Sequence, residues 1–251
     1  MTEKDKSTIK ELIATLYLRL NGYFTTGFII HSDDNNIDGE LDVIAVRFPN
    51  HNQDYTGHNS SDFLEAPKNI DIIVAEVKSV GQPLQFNPCL KQQETLEPWQ
   101  KILQWTGLMT DADQIVATAS ELNSLVQPIE NSQFKVLRST RIIATAFGNL
   151  TVRPILFCPD RPNNHNADKF IHWTEINNFI WLCLCPAVKR EASGTRYDFT
   201  SWGQGLSEIV KAYKDRQKTQ NGFQTIEELF DDIERNRNAK ENKTKQKLLP
   251  H

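Results

Sequence analysis

Two short runs of apolar residues constrain the fold of this chain more than any other feature of its sequence. The first covers residues 40–48 (ELDVIAVRF) and the second covers residues 71–78 (DIIVAEVK). Apart from their charged residues, both runs are apolar at odd and at even positions, whereas a strand with one face in water alternates apolar with polar residues. We therefore expect two central strands of a β-sheet that is covered on both faces.

Helical patterns before and after these runs supply the covering layers. The first helix is predicted at 8–20, where Thr8 and Glu11 fit a capping box and apolar residues then recur at spacings of three and four. Further helices are expected at 97–109, from a cap at Thr174 to the residue before Pro186, at about 206–214, and after a capping box formed by Thr225 and Glu228.

Other segments favour additional strands. The run TTGFIIH at 25–31 is followed by a polar turn at 32–39, which predicts a hairpin with the strand at 40–48. Shorter candidates lie at 114–118, 141–147 and 152–158. The chain is therefore expected to be an α/β protein with a mixed central β-sheet flanked by helices.

The 251 residues are enough for one large domain followed by a tail. We expect a domain over residues 1–217, with the chemistry in its first part, residues 8–118. Residues 218–251 are expected to form a short helix and a polar, partly disordered basic tail. This tail is a candidate for nucleic-acid contact, and a solvated chain end is the alternative.

Composition and charge exclude several classes of protein. The N-terminal residues 1–8 contain no apolar segment of the kind found in signal peptides, and the longest apolar run, at 179–185, is too short to cross a membrane. A cytoplasmic protein without a membrane partner is therefore expected. Cysteines 89, 158, 183 and 185 form no CxxC pair, which argues against a zinc site. A net charge of −4 is not that of a globally basic nucleic-acid binder, so any such contact must be local.

Three of the ionisable residues in the two central strands indicate a reaction centre. Glu76 and Lys78 are two positions apart, so their side chains leave the strand on the same side. A carboxylate and an ammonium at the end of an apolar strand need a partner or a metal to offset their burial. Asp42 interrupts the neighbouring strand in the same way, and two converging carboxylates suit a divalent cation such as Mg²⁺.

The order of these residues resembles a known superfamily. An aspartate on one strand and Glu-x-Lys on the next, after a first helix that bears an acid, looks like the PD-(D/E)XK nucleases. The segments GELDVIA at 39–45 and VAEVKS at 74–79 are most similar to the branch of Holliday-junction resolvases and small restriction-endonuclease-like proteins. The resemblance covers about residues 8–110, and Leu41 stands where the superfamily name has proline. It implies a restriction-endonuclease-like core with a C-terminal helical extension.

The resemblance also implies a metal site. Asp42 and Glu76 would bind Mg²⁺, with Mn²⁺ as a substitute, and the backbone carbonyl of Val77 would add a ligand. Glu11 matches the acid of the first helix and would be a further ligand. Its place in the capping box with Thr8 is an equally good explanation for that residue.

The remaining roles implied by the resemblance concern water and substrate. Lys78 would orient or deprotonate the attacking water and stabilise charge on the phosphate oxygens. Gln100 or Gln104, on the helix after the motif, would contact the lysine or the substrate. If no metal binds, the alternative is a salt-bridged strand end in which Lys78 pairs with Glu76 or Asp42.

The expected function is that of a Mg²⁺-dependent endonuclease that hydrolyses phosphodiester bonds, with DNA as the partner. Two alternatives stay open at this point. One is a nucleic-acid-binding or scaffold subunit that has the fold without catalysis, because fold does not fix function. The other is an RNA-directed nuclease. A homodimer or a larger defence or restriction complex is compatible with each of these.

Overall fold

A computed structural model describes residues 1–31, 37–49, 51, 62–64, 68–92, 95–127, 140–161, 170–186, 202–219 and 222–247, with the backbone alone at 37, 38, 62, 204 and 243–247. Over these residues the chain is an α/β protein with a six-stranded mixed sheet and six α-helices. The predicted fold class is therefore confirmed. The hairpin turn at 32–36 lies outside the described residues.

The strands are β1 (Phe24–His31), β2 (Ile37–Arg47), β3 (Ile70–Val77), β4 (Arg141–Thr145), β5 (Gly148–Cys158) and β6 (Ile171–His172). Their order in the sheet is β1-β2-β3-β5-β4, and the short β6 also pairs with β5. The β1–β2, β2–β3 and β4–β5 pairs are antiparallel, whereas β5 runs parallel to β3 and to β6. Strand β3 therefore lies inside the sheet, between an antiparallel and a parallel neighbour.

The helices are α1 (Glu3–Leu20), α2 (Glu97–Thr106), α3 (Ala112–Val126), α4 (Trp173–Leu184), α5 (Gln204–Gln217) and α6 (Ile226–Lys247). They form two layers because successive residues of a strand point to opposite faces of the sheet. Ile73 and Ala75 of β3 belong to the core that includes residues of α1, α4, α5 and α6. Ile72 and Val74 belong to the second core, with residues of α2 and α3. This burial on both faces confirms the prediction from the apolar runs.

The prediction of a strand at 114–118 is wrong, because these residues are part of helix α3. Asp111 is the N-cap of this helix, and its side chain accepts a hydrogen bond from the backbone N–H of Gln114. Ile115, Ala119 and Leu122 lie one helical turn apart and are buried against the sheet. A short apolar run does not distinguish helix from strand, and here the longer period decides.

Two predicted helix caps also need correction. Helix α1 begins five residues before Thr8, with Thr2 as N-cap and a capping box completed by Asp5. Thr8 is inside the helix, where its hydroxyl donates to the carbonyl of Lys4. Helix α4 is capped by His172, whose Nδ1 accepts from the backbone N–H of Glu175, and not by Thr174.

The last helix, α6, begins where the sequence predicted but is not short. Thr225 accepts a hydrogen bond from the backbone N–H of Glu228, and the helix then continues for 22 residues. Its first half packs into the core through Ile226, Leu229 and Ile233. The domain boundary at residue 217 stays a prediction.

Two further observations concern the described part of the chain. None of its helices has both the length and the apolar character that crossing a bilayer requires. All four cysteines are buried with free thiols, which is typical of cysteines that act as small core residues.

Candidate active site

Asp42 lies where the pairing between β2 and β3 ends. The last paired residues are Val43 and Ala75, so continuing the register by one position places Asp42 opposite Glu76. Where the pairing stops, the Asp42 carboxylate replaces a carbonyl of a paired strand as the hydrogen-bond acceptor for β3. Its Oδ2 accepts the backbone N–H of Val77 at 2.6 Å. The two predicted carboxylates therefore come together where the pairing of β2 with β3 stops.

Glu76 is the more unusual of the two carboxylates because it is almost fully buried. Its exposed fraction is 2%, and Oε2 accepts a hydrogen bond from Lys78 Nζ at 2.7 Å. The other oxygen, Oε1, is buried and has no hydrogen-bond partner among the described residues. A buried polar atom without a partner is costly and rare, so it calls for an explanation such as an ion or a water.

The environment of Glu76 favours its protonated form. Burial raises the pKa of Glu76 to about 7, and the negative charge of Asp42 adds to this effect. The Lys78 ammonium and the backbone N–H of Asn87 lower the pKa and offset only part of the burial. A carboxyl that exchanges its proton near neutral pH is typical of sites that bind cations or transfer protons.

The pKa values of two neighbouring acids, Asp42 and Glu11, are also raised. Burial raises the pKa of Asp42, although the Val77 N–H and the Lys78 ammonium lower it. Burial also raises the pKa of Glu11, and the negative charge of Asp42 adds to that effect. Glu11 of α1 and Asp42 of β2 are therefore close enough for their charges to interact.

Two of these residues offer carboxylate oxygens to a divalent cation. Oε1 of Glu76 is an unused hard oxygen donor, and the Asp42 carboxylate accepts one hydrogen bond from the described residues. Two carboxylates are enough for Mg²⁺, which keeps several of its waters. In the described residues, no three His, Cys, Asp or Glu side chains lie close enough together to form a metal site. The roles of Glu11 and of the Val77 carbonyl as ligands therefore stay predictions.

Gln100 is on α2, as expected, but it is not joined to the centre. Its side chain is half-buried and makes no hydrogen bond with Lys78 or Glu76 within the described segments. The neighbouring Trp99 fixes this helix, because its ring is fully buried and its Nε1 donates to the carbonyl of Leu90 at 3.0 Å. Contact of Gln100 with the substrate stays a prediction.

A second lysine near the centre was not found from the sequence. Lys91 is the last residue of the short 3-10 helix Pro88–Lys91, and its Nζ donates to Gln85 Oε1 at 2.8 Å. Burial lowers the pKa of Lys91, the positive charge of Lys78 lowers it further, and the negative charge of Glu76 opposes both. Lys91 is therefore close enough to add positive charge to the site.

A buried ion pair also holds the chain that leaves Lys78. Lys10 of α1 pairs with Asp160, and Lys10 Nζ donates to Ser79 Oγ at 2.8 Å. Asp160 also accepts the backbone N–H of Val80 at 3.0 Å. The residues directly after Lys78 are thus tied to α1 and to the end of β5. This contact fixes the backbone from which the lysine projects.

A separate ionic group lies at the opposite end of β3. Arg153 donates Nε to Asp71 Oδ1 at 3.0 Å and also pairs with Oδ2, while Tyr23 donates its hydroxyl to the same carboxylate. Asp71 is fully buried, and Arg153 is 5% exposed. Asp71, Tyr23 and Arg153 are hydrogen-bonded to one another, so this cluster has a structural role.

Asp42, Glu76 and Lys78 therefore lie together where the pairing of β2 with β3 stops, and Glu11 and Lys91 are close enough for their charges to interact with this centre. The arrangement can bind a cation through carboxylate oxygens, and it can hold a proton near neutral pH. Comparison of the chain with protein-family models, with curated proteins and with solved structures finds no match.

Proposed function

We propose that the protein is a Mg²⁺-dependent nuclease that hydrolyses phosphodiester bonds of DNA. The main support is Glu76, a buried carboxylate with one oxygen that has no hydrogen-bond partner in the described part of the chain, beside a lysine and across from a second carboxylate. An apolar strand end has no structural need for such a group. The resemblance to the PD-(D/E)XK nucleases agrees with this combination.

In this proposal Asp42 and Glu76 hold the cation, whose positive charge would polarise the phosphate. Lys78 donates hydrogen bonds, so it can orient a water and stabilise the negative charge on the phosphate oxygens. The oxygen of that water forms a bond to phosphorus while the bond to the leaving oxygen breaks; the water gives up a proton to solvent, and the leaving oxygen takes up a proton from solvent. Lys91 adds a second positive charge near the anion.

The proposal is tested by incubating purified protein with plasmid, linear duplex, branched DNA and RNA in magnesium, in manganese and in chelator. Cleavage should occur with a metal and stop with the chelator. Asp42→Asn and Lys78→Met should each reduce the rate by at least about a hundredfold, since both groups act on the reacting phosphate. Glu121→Gln, on the exposed face of α3, is the matched control and should retain the wild-type rate.

A second candidate is a subunit that binds nucleic acid without cutting it. The Lys78–Glu76 ion pair favours this alternative, because it satisfies the lysine without any metal. Wild-type protein that binds DNA or RNA but cleaves no substrate with either metal would support this function and refute the nuclease.

A further inference from the structure

The last helix extends well beyond the part that packs on the protein. Ile233 is its final buried apolar residue, whereas residues 238–242 are exposed and the helix continues to Lys247. The fourteen residues after Ile233 correspond to about 21 Å of helix. We call residues 238–247 the C-terminal arm.

The C-terminal arm is basic, although the protein as a whole is acidic. It contains Lys240, Lys243, Lys245 and Lys247, and its single acidic residue is Glu241. The whole chain has a net charge of −4. An exposed helix with few apolar residues gains little from packing, so its composition needs another explanation. The helix dipole favours cations in the last turn only, which does not extend to Lys240.

The base of the C-terminal arm is held firmly against two other helices. Arg237 donates Nε and Nη2 to Glu208 of α5 at 2.9 and 2.7 Å, and it lies 4.0 Å from Asp5 of α1. One turn earlier, Arg216 of α5 pairs with Asp232 at 2.8 Å. The arm therefore leaves the protein in a fixed direction.

The same helix α1 connects this base to the candidate site. Asp5 is in the first turn of α1, and Glu11 follows six residues later. The charge of Asp42 raises the pKa of Glu11. Six residues correspond to about 9 Å along the helix axis. The base of the C-terminal arm and Glu11 therefore contact or belong to the same helix, about 9 Å apart along its axis.

We propose that the C-terminal arm binds the phosphate backbone of duplex DNA. This proposal rests on the proposed function and names the surface that would hold its substrate. Charge complementarity supports the partner, because a duplex presents one negative charge per about 1.7 Å of its axis and lysines bind phosphates without regard to sequence. A basic arm also explains how an acidic protein can bind an acidic polymer, since the attraction is local.

The test is the salt dependence of binding to a short fluorescent DNA duplex, measured by anisotropy in chelator so that no cleavage occurs. The triple variant Lys243→Gln, Lys245→Gln, Lys247→Gln removes three charges from the arm. Its affinity should fall at least about tenfold, and the slope of log K against log salt should become shallower by about 2 to 3. The triple Lys→Arg variant at the same positions should bind like the wild type, because it keeps the charge.

The matched control removes the same number of charges elsewhere, through Lys68→Gln, Lys101→Gln and Lys218→Gln. The proposal is overturned if this control loses as much affinity as the arm variant, or if the arm variant binds like the wild type. Circular dichroism of the arm variant checks that α6 is intact. The proposal is also overturned if the variant loses helix and its DNA binding is unchanged. If the wild type cleaves DNA and the arm variant cleaves it equally well, only the proposal for the arm is refuted. If binding depends on the arm but no DNA is cleaved, only the proposed nuclease activity is refuted.

Discussion

Replacing Glu76 by glutamine should remove a pH-dependent loss of stability. In the folded protein the pKa of Glu76 is about 7, compared with an ordinary value of 4.5. Below pH 4.5 the carboxyl is protonated in both the folded and unfolded states. As the pH rises, the unfolded chain releases its proton first, and the folded state is disfavoured until its own carboxyl ionises near pH 7.

The size of this effect follows from the two values. A difference between 4.5 and about 7 corresponds to about 3 kcal/mol. Relative to Glu76→Gln, the free energy of unfolding of the wild type should therefore fall by about 3 kcal/mol between about pH 4.5 and pH 8. Urea denaturation of both proteins across this range measures it, and their difference cancels the other titrating groups.

Glu121→Gln serves as the control, because Glu121 is exposed on α3 and its substitution should leave the pH dependence of the wild type unchanged. Adding Mg²⁺ at pH 8 should restore part of the lost stability in the wild type but not in Glu76→Gln, since the ion binds the ionised carboxylate. Parallel curves for wild type and Glu76→Gln would refute the argument, because they would mean that Glu76 is solvated in the folded protein.

Two further substitutions test the frame around the site. Asp160→Asn leaves the Lys10 ammonium buried without its carboxylate, so the free energy of unfolding should fall by about 3 kcal/mol in urea denaturation. Gly39→Ala would place a Cβ 2.6 Å from Cys89 Sγ, which should lower the melting temperature through overpacking of about 1 to 3 kcal/mol. Cys89→Ala should suppress that defect, and failure of this rescue would exclude the contact as its cause.

The central strands and the charged centre could be predicted from the sequence because their signals are local. An apolar run on both parities identifies a strand covered on both sides, and Glu76 and Lys78 share a side through the two-residue period. The position of Asp42 opposite Glu76, one residue beyond the last paired residues, needed only the antiparallel neighbour. These inferences depend on residues that are close in sequence or on consecutive strands.

The segment at 114–118 shows where local patterns fail. Its β-branched residues resemble a strand, but the cap at Asp111 and the buried Leu122 extend the helical period in both directions. Helix α1 was shortened in the prediction because Thr8 and Glu11 imitate a capping box, whereas Thr2 and Asp5 form the real one. In both cases a longer window would have contained the deciding residue.

The contacts that surround the site could not be predicted, since they join distant parts of the chain. Lys10 and Asp160 are 150 positions apart, and Tyr23 and Arg153 are 130 apart. Lys91 approaches the centre only through the course of the loop after β3. No spacing in the sequence reports such contacts, because they depend on how the layers pack.

The parallel pairing of β3 with β5 has a consequence for synthesis on the ribosome. Glu76 is registered with Leu156, so β3 lacks its second neighbour until about eighty further residues have been translated. Until then β3 is an edge strand, and its carboxyl remains in water. In the nascent chain the Glu76 carboxyl is therefore still exposed to water. It becomes buried late, when β5 and Asp160, the partner of Lys10, have been translated.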